Sequence, residues 1–291
     1  MLLAIDVGNT QTVIGMFDGL NPRNDTDISE LIPGSASQSL TLADPTRPAL
    51  AFHWRVATNP DRTADENALL IAQLLSLESQ NLNGEITGIA VSSTVPRLTQ
   101  ALREMIDRWY DVPSIILGPG VKTGISILYD DPREVGADRI ANAVGAFSSC
   151  GGPCIVVDFG TATTFDAISK EGEYLGGAIV PGIEISMDAL FSHAAALRRV
   201  EMIVPKRVIG KNTVESIQSG MVYGYVAQAE GLCRKLEDEM GDSKIILTGG
   251  LARAIAPHFS IEHFFDPWLT LHGLRIIFER NIPASGSKVG I

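Results

Sequence analysis

The residues best equipped for chemistry sit in two short, similar stretches. Ile5-Asp6-Val7-Gly8-Asn9-Thr10-Gln11-Thr12, followed by Val13, opens the chain, and Val157-Asp158-Phe159-Gly160-Thr161-Ala162-Thr163-Thr164 lies far downstream. Each has an apolar run, an aspartate, a glycine two residues later and a cluster of small hydroxyl or amide side chains. Glycine tolerates backbone angles that other residues avoid, so a strand ending in Asp-x-Gly turns tightly. Such a turn gathers backbone N–H groups and hydroxyls around one point, an arrangement suited to a phosphate chain. The aspartate adds an acid able to hold a hydrated cation beside those phosphates. One copy alone reads equally well as an ordinary capped hairpin. Two copies, well separated along the chain, predict a duplicated fold with a nucleotide between the halves.

A third cluster lies between them. Gly136-Ala137-Asp138-Arg139 runs directly into Ile140-Ala-Asn-Ala-Val-Gly-Ala-Phe147, a helix rich in small residues that can pack closely on another element. Asp138 falls near the start of that helix, where the dipole is expected to hold a carboxylate's pKa low. The planar fork of Arg139 suits a carboxylate or a phosphoryl group. Locally, the same pair also reads as a capping aspartate ion-paired to its neighbour.

The elements that must carry these groups alternate between strand and helix, which places the chain in the α/β class. Leu2–Ile5 and Thr12–Phe17 form a hairpin, and Phe52–Val56 is a further strand. Thr63-Ala-Asp-Glu66 is a capping box before a helix over Leu69–Leu77. Strand Ile86–Val91, helix Pro96–Trp109 and strand Ser114–Leu117 complete a first unit, 1–117. The second unit, 118–291, has strand Ile155–Val157, its return arm Phe165–Ser169 and a turn around Lys170–Glu173. Helices over Ile183–Leu197 and Thr213–Glu239 follow, then strand Ile245–Leu247, the turn Thr248-Gly249-Gly250 and a helix over Leu251–Ala256. From His258 the pattern is mixed and apolar, and Pro283–Ile291 reads as a frayed tail. Residues 19–48, rich in turn formers, read as an inserted mobile surface loop with a short helix at Ile28–Ile32.

Bulk properties bound the rest. The 291 residues, 45% hydrophobic and 20% charged, suffice for real cores. A net charge of −11 argues against nucleic acid as a main partner. Cys150, Cys154 and Cys233 lack zinc spacing and read as ordinary thiols, and the five histidines form no ligand-spaced group. Asp6 interrupts the apolar N-terminus before a signal-peptide core can form, and no apolar run approaches the roughly 20 residues that span a bilayer. A reducing cytoplasm and no membrane are expected.

Taken in order, Asp-Val-Gly-Asn-Thr at 6–10, Gly-Ala-Asp-Arg at 136–139, Asp-Phe-Gly-Thr-Ala-Thr-Thr at 158–164 and Gly-Gly-Ala-Ile-Val-Pro-Gly at 176–182 closely resemble the type III pantothenate kinases. These are bacterial enzymes of the acetate-kinase/sugar-kinase/Hsp70/actin superfamily. The resemblance implies duplicated ribonuclease-H-like domains with the active site in the cleft between them, a homodimer, and ATP-dependent phosphorylation of pantothenate. It implies Mg2+ and a monovalent cation, K+ or NH4+. By resemblance, residues 6–13 and Thr161 bind ATP, Asp6 positions hydrated Mg2+, and Asp158 coordinates the monovalent cation. Asp138 is then the base, with Tyr129, Gly136, Ala137, Arg139 and, across the dimer interface, Thr213 on the substrate. Thr213 would look the same as a plain helix cap. The departure from the family pattern is the loop 19–48, which is longer than expected. A different small-acid kinase, an ATP-gated chaperone or filament protein, and an idle relative with an accessory role in transcription are the competing classes. The acceptor cluster, the modest length and the intact three aspartates disfavour them in turn.

Overall fold

A computed structural model describes residues 1–18, 39–40, 50–78, 85–194 and 197–282. The expected helix at Ile28–Ile32, most of the 19–48 segment and the tail from Pro283 lie outside the described residues. Within that segment, however, Ser39–Leu40 (β3) form a strand rather than loop, pairing in parallel with His263–Phe265 at a sheet edge.

Two sheets of matching topology carry the molecule. In the first, β1 (Leu2–Val7) is antiparallel to β2 (Gln11–Phe17), which is antiparallel to β4 (Leu50–Ala57). On its other side β1 is parallel to β5 (Gly88–Ser93), and β5 to β6 (Ser114–Ile116). The second sheet repeats the scheme. β7 (Cys154–Phe159) is antiparallel to β8 (Ala162–Ile168) and β8 to β9 (Tyr174–Pro181), while β7 is parallel to β10 (Lys244–Thr248) and β10 to β11 (His263–Phe265). The order 4-2-1-5-6 in one sheet thus matches 9-8-7-10-11 in the other, with β3 appended. That is the duplication expected from the twin motifs.

Strand alternation sorts the cores. Leu3, Ile5 and Val7 point to one face of the first sheet, where they meet Ile71 of α1 (Ala64–Leu77) and Leu98 and Leu102 of α2 (Pro96–Trp109). The α1 capping box is realised: Thr63 N–H donates to Glu66 Oε2 at 2.8 Å, and Glu66 N–H to Thr63 Oγ1 at 3.3 Å. Ala4 points the other way, into a middle layer shared with Val156 of the second sheet. Two helices fill that layer, α3 (Ala137–Cys150) and α7 (Leu269–Asn281). Beyond the second sheet, Ile155, Val157 and Phe159 pack against Met187 of α4 (Ile183–His193) and Val222 and Val226 of α5 (Thr213–Met240). A short helix, α6 (Ala252–Ile255), follows β10.

Period two therefore decides where the aspartates go. Asp6 shares the parity of Leu2 and Ala4, and Asp158 that of Cys154 and Val156, so both side chains point into the middle layer from opposite sheets. Besides β3, the elements not anticipated are β9, β11 and α7. Glycines 176 and 177 depress the strand pattern of β9. In α7 the residues Leu269, Leu271, His272, Gly273, Leu274 and Ile277 are all buried, because sheets and α3 surround it, and no one-sided apolar stripe results.

Close approach of α3 and α7 depends on glycine. A Cβ at Gly145 would sit 2.7 Å from the Leu269 carbonyl oxygen, and one at Gly273 would overlap the carbonyl oxygen of Ala141. The clash is with backbone, which cannot rotate away. Alanine at 273 gains about 1 kcal/mol of helix propensity but incurs an overpacking cost toward the upper end of about 1–3 kcal/mol. Gly273→Ala is expected to lower the urea midpoint with an unchanged m-value, a net loss of about 2 kcal/mol. An unchanged or raised midpoint would refute the close-packing account.

Candidate active site

The two Asp-x-Gly turns meet. Thr10 Oγ1 and Thr161 Oγ1 lie 2.8 Å apart, joining the β1–β2 turn to the β7–β8 turn across a cleft. The cleft is lined by Asp6, Gly8, Asn9, Thr10, Gln11 and Val13 from the first turn, and Asp158, Thr161 and Thr164 from the second. Asp138 enters from the start of α3, Thr248-Gly249-Gly250 from the end of β10, and Trp268, Thr270 and Leu271 from the start of α7. Val7 and Thr12 belong to the lining strands but turn their side chains inward, Thr12 bonding Thr58 at 2.8 Å.

The turns are tight for a reason other than the expected one. Neither Gly8 nor Gly160 lies in the left-handed region. Each instead donates its N–H back across the turn, Gly8 to Gln11 O and Gly160 to Ala162 O, both at 3.1 Å. A Cβ on Gly8 would sit 3.1 Å from that same Gln11 oxygen, so glycine supplies room. The Thr58 hydroxyl donates to Gly8 O at 2.7 Å and the Thr94 hydroxyl to Val7 O at 3.1 Å, clamping the first turn from two neighbouring segments.

Three largely buried carboxylates share this space, and a fourth, the exposed Glu184 of α4, also lines it. Burial, followed by the charges of Asp138 and Asp158, pushes Asp6 up to about 8. Burial and the charge of Asp138 push Asp158 up to about 7, against the hydrogen bond from Asn142. Asp138 is also raised, by burial, although Arg139 opposes the shift through its N–H and its charge. That corrects the low value expected from its position in the first turn of α3: desolvation outweighs the helix dipole here. Arg55 of β4, which sequence reasoning passed over, is the cationic side chain in the lining. Its Nη1 donates to Gln11 Oε1 at 2.9 Å, and its charge partly offsets those of Asp6 and Asp158.

The Asp6 environment fits a cation. Asp6 Oδ1 and Ser92 Oγ, opposite each other in the β1–β5 register, are sealed from solvent and make no hydrogen bond of good geometry, although the Ser92 hydroxyl is near enough to favour the ionised Asp6 slightly. Ionising a carboxyl buried in that state calls for a positive partner. Among the described residues no group of three His, Cys, Asp or Glu side chains is close enough to form a ligand cage. A divalent ion here would accordingly keep most of its waters, as Mg2+ does when few carboxylates hold it.

Asp158 is held from behind. Asn142 Nδ2 donates to Asp158 Oδ2 at 2.9 Å, and Thr270 Oγ1 donates to Asn142 Oδ1 at 2.7 Å, so α3 and α7 together fix that carboxylate. Asn142 and Thr270 carried no signal in the sequence beyond Asn142 lying one helical turn after Asp138.

Arg139 is not paired with Asp138 through its guanidinium. Its Nε donates to Asp166 Oδ1 at 2.7 Å, and the link to Asp138 is the Arg139 backbone N–H, at 2.8 Å from Asp138 Oδ1. Tyr129 is half-buried, its ring 6.3 Å from that of Tyr174, over which the Arg139 guanidinium sits at 5.7 Å. Gly136, Ala137 and Arg139 thus adjoin Asp138 in the chain and Tyr129 reaches Arg139 through Tyr174, but of this group only Asp138 lines the cleft itself. Thr213 does not join them. It is the first residue of α5, exposed, while Asn212 is the cap whose side chain accepts from Glu215 N–H at 2.9 Å.

A doubled sheet with a polar cleft between its halves defines the class of actin-like ATPase folds. Two solved structures share the fold: a putative 2-dehydro-3-deoxygalactonokinase protein from Sinorhizobium meliloti, with a TM-score of 0.54 at 11% identity over 100% of both chains, and the ethanolamine utilization protein EutJ from Carboxydothermus hydrogenoformans, with a TM-score of 0.52 at 13% identity over 94% of this chain and 89% of the other. Within that class the chain belongs to the type III pantothenate kinase family, whose sequence model matches residues 2–235. Type III pantothenate kinases of Streptomyces avermitilis and Moorella thermoacetica are each 49% identical to it over 97% of this chain and 99% and 100% of their own lengths. That of Anaeromyxobacter sp. is 50% identical over 97% of this chain and 100% of its own. Such enzymes are kinases that phosphorylate pantothenate in coenzyme A biosynthesis. Among the described residues, no helix is long and apolar enough to cross a membrane.

The raised carboxyls have a consequence for stability. Asp6 binds its proton more tightly folded than unfolded, so between its ordinary value of 3.8 and about 8 the native state holds the extra proton. Stability then falls as pH rises through that window, and the penalty is complete above it. In the absence of divalent cations, Asp6→Asn is expected to be more stable than the parent at pH 8 by at least ~1.4 kcal/mol, one pKa unit's worth. The difference should close toward pH 4. Urea titrations over this range check it, and a parent protein that gains stability up to pH 8 would contradict it.

Proposed function

We propose that the cleft transfers the γ-phosphoryl group of ATP to the primary hydroxyl of pantothenate, giving 4′-phosphopantothenate, the first step of coenzyme A biosynthesis, with Asp138 as the base. The observation that carries the reading is the convergence of Asp6, Asp138 and Asp158 on one cleft, with the Thr10 and Thr161 hydroxyls meeting across it. Residues 6–13 and Thr161 take the ATP phosphates between the two lobes, 1–117 and 118–291. Asp6 holds hydrated Mg2+, and Asp158 holds K+ or NH4+. When bound, these cations neutralise phosphate charge that the three carboxylates would otherwise repel.

Asp138 accepts the hydroxyl proton as the oxygen attacks the γ-phosphorus and the bond to the β–γ bridging oxygen breaks. Its raised affinity for a proton makes it a better base than a helix-end carboxylate in water. Positioning does most of the remaining work, because a loose phosphoryl transition state asks little covalent help of the protein. Tyr129 and Gly136–Arg139 orient the acceptor. Thr213 completes the site of a second copy. Ile179 and Ile209 are 60% and 72% exposed, and Ile185, Val208 and Val214 are also exposed, an apolar set around α4 and the start of α5 that supports a homodimer. The enzyme works in the cytoplasm, where ATP and K+ are supplied.

The test is ADP release with pantothenate, Mg2+ and either K+ or Na+. Pantothenate-dependent turnover in K+ and a marked loss in Na+ are expected, with specific activity falling on dilution as dimers separate. Turnover that ignores pantothenate, or none at all, sinks the acceptor assignment; equal rates in Na+ remove the role of Asp158. Asp138→Asn is expected to lower kcat by about 10²–10⁴ with its melting transition retained. A variant with near-parental kcat would return Asp138 to a structural role.

A further inference from the structure

Asp166 is a carboxylate the phosphoryl chemistry does not use, placed where a charge is costly. It lies on β8 with none of its surface exposed. Its parity is that of Thr164, which lines the cleft, and of Ile168, which belongs to the middle core. Three donors converge on it: Arg139 Nε at 2.7 Å and the Tyr174 hydroxyl at 2.8 Å on Oδ1, and the Thr164 hydroxyl at 3.4 Å on Oδ2. A buried ion pair of this kind loses solvation worth several kcal/mol per ion and is often no more stable than apolar residues of equal volume. Stability alone therefore gives little reason for it.

Orientation gives a better one. A guanidinium carries five N–H donors in a rigid plane, and Asp166 takes only the Nε–H. Among the described residues no acceptor meets the Nη groups, although the side chain is only 9% exposed. The Tyr174 ring, 5.7 Å from the guanidinium carbon, flanks the plane, and Tyr129 stands beyond it. Asp166 and Tyr174 thus hold the Arg139 plane from its Nε edge and one flank, next to Asp138, and leave its fork for an anion.

We propose that Asp166 is the positioning residue that aims the Arg139 fork at the carboxylate of the acceptor and thereby sets the preference for an acidic acceptor over a neutral one. This rests on the reading of the cleft as a pantothenate kinase site. Its signature is selective. Removing the charge of Asp166 should weaken binding of an acceptor that bears a carboxylate, and should leave ATP and neutral acceptors largely untouched.

The experiment compares pantothenate with panthenol, in which a hydroxymethyl group replaces the carboxylate, in parent, Asp166→Asn, Arg139→Ala and the double variant. For Asp166→Asn the KM for pantothenate is expected to rise roughly ten- to hundredfold, the size of a lost charge-assisted contact. The KM for ATP and kcat/KM for panthenol should change less than about threefold, within ordinary indirect effects. In the Arg139→Ala background the Asp166 change should add no further loss of preference. Equal losses with both acceptors, or a full Asp166 effect without Arg139, would overturn the proposal and mark the pair as structural. If Asp166→Asn does not fold, Asp166→Glu, which keeps the charge but moves it by one methylene, is read by the same ratio. A reduced preference supports the proposal, and an unchanged preference with reduced kcat refutes it. A parent protein that turns over neither acceptor fails at the earlier reading of the cleft, and this proposal falls with it.

Discussion

Like charges gathered in a space of low dielectric repel strongly, and this fold gathers three. Asp6, Asp138 and Asp158 reach the cleft from two strands and a helix; burial raises each toward its neutral form, and the charge of Asp138 raises Asp6 and Asp158 further. Nothing in the protein alone relieves that strain in full. Arg55 offsets part of it, and Asn142 donates one hydrogen bond to Asp158. The remaining deficit is positive charge, which suits the cations proposed to accompany the nucleotide. The cleft is in this sense built incomplete, with its electrostatics arranged for the loaded state and tolerated in the free one.

The middle layer makes that arrangement possible. The helices α3 and α7 lie between the two sheets, brought close by Gly145 and Gly273. From α3 come Asp138 at the cleft and, one turn on, Asn142 in the core. From α7 comes Thr270, which fixes Asn142. Packing and polar order are thus the same structure: shifting α7 by a fraction of an ångström would move Asn142 and then Asp158. The core of small residues in α3, which reads in sequence only as a helix able to pack closely, is what allows side chains from both sheets to meet.

Much of the site was legible because it depends on short-range pattern. The Asp-x-Gly turns, the hairpins behind them and the capping box of α1 each follow from residues within a few positions of one another. The details that eluded sequence reasoning are long-range. The guanidinium of Arg139 pairs with Asp166 rather than its neighbour Asp138, because β8 and not the preceding turn lies beneath it. Asp138 is raised rather than lowered, since a dipole argument counts the helix and not the walls around it. The helix α7 left no one-sided stripe, being enclosed along most of its length and open to solvent only in its last turn, at Glu279 and Arg280. Arg55 sits on a strand whose register with β2 brings it opposite Val13, a pairing that no local motif announces.

By itself the sequence determined the kinds of group available, the alternation that sends Asp6 and Asp158 to the same side of their strands as Ala4 and Val156, and the likeness of the two halves. Those are properties of chain neighbours and of period two, and they survive without knowledge of the fold. Only the tertiary structure decided which of these groups meet. The contact of Thr10 with Thr161, the anchoring of Arg139 by Asp166 and Tyr174, and the bracing of Asp158 by Asn142 and Thr270 each join residues from different elements. The acidity of the aspartates belongs to the same level, because a carboxyl's proton affinity is set by the dielectric and charges around it, and those exist only after the sheets have closed on the helices between them.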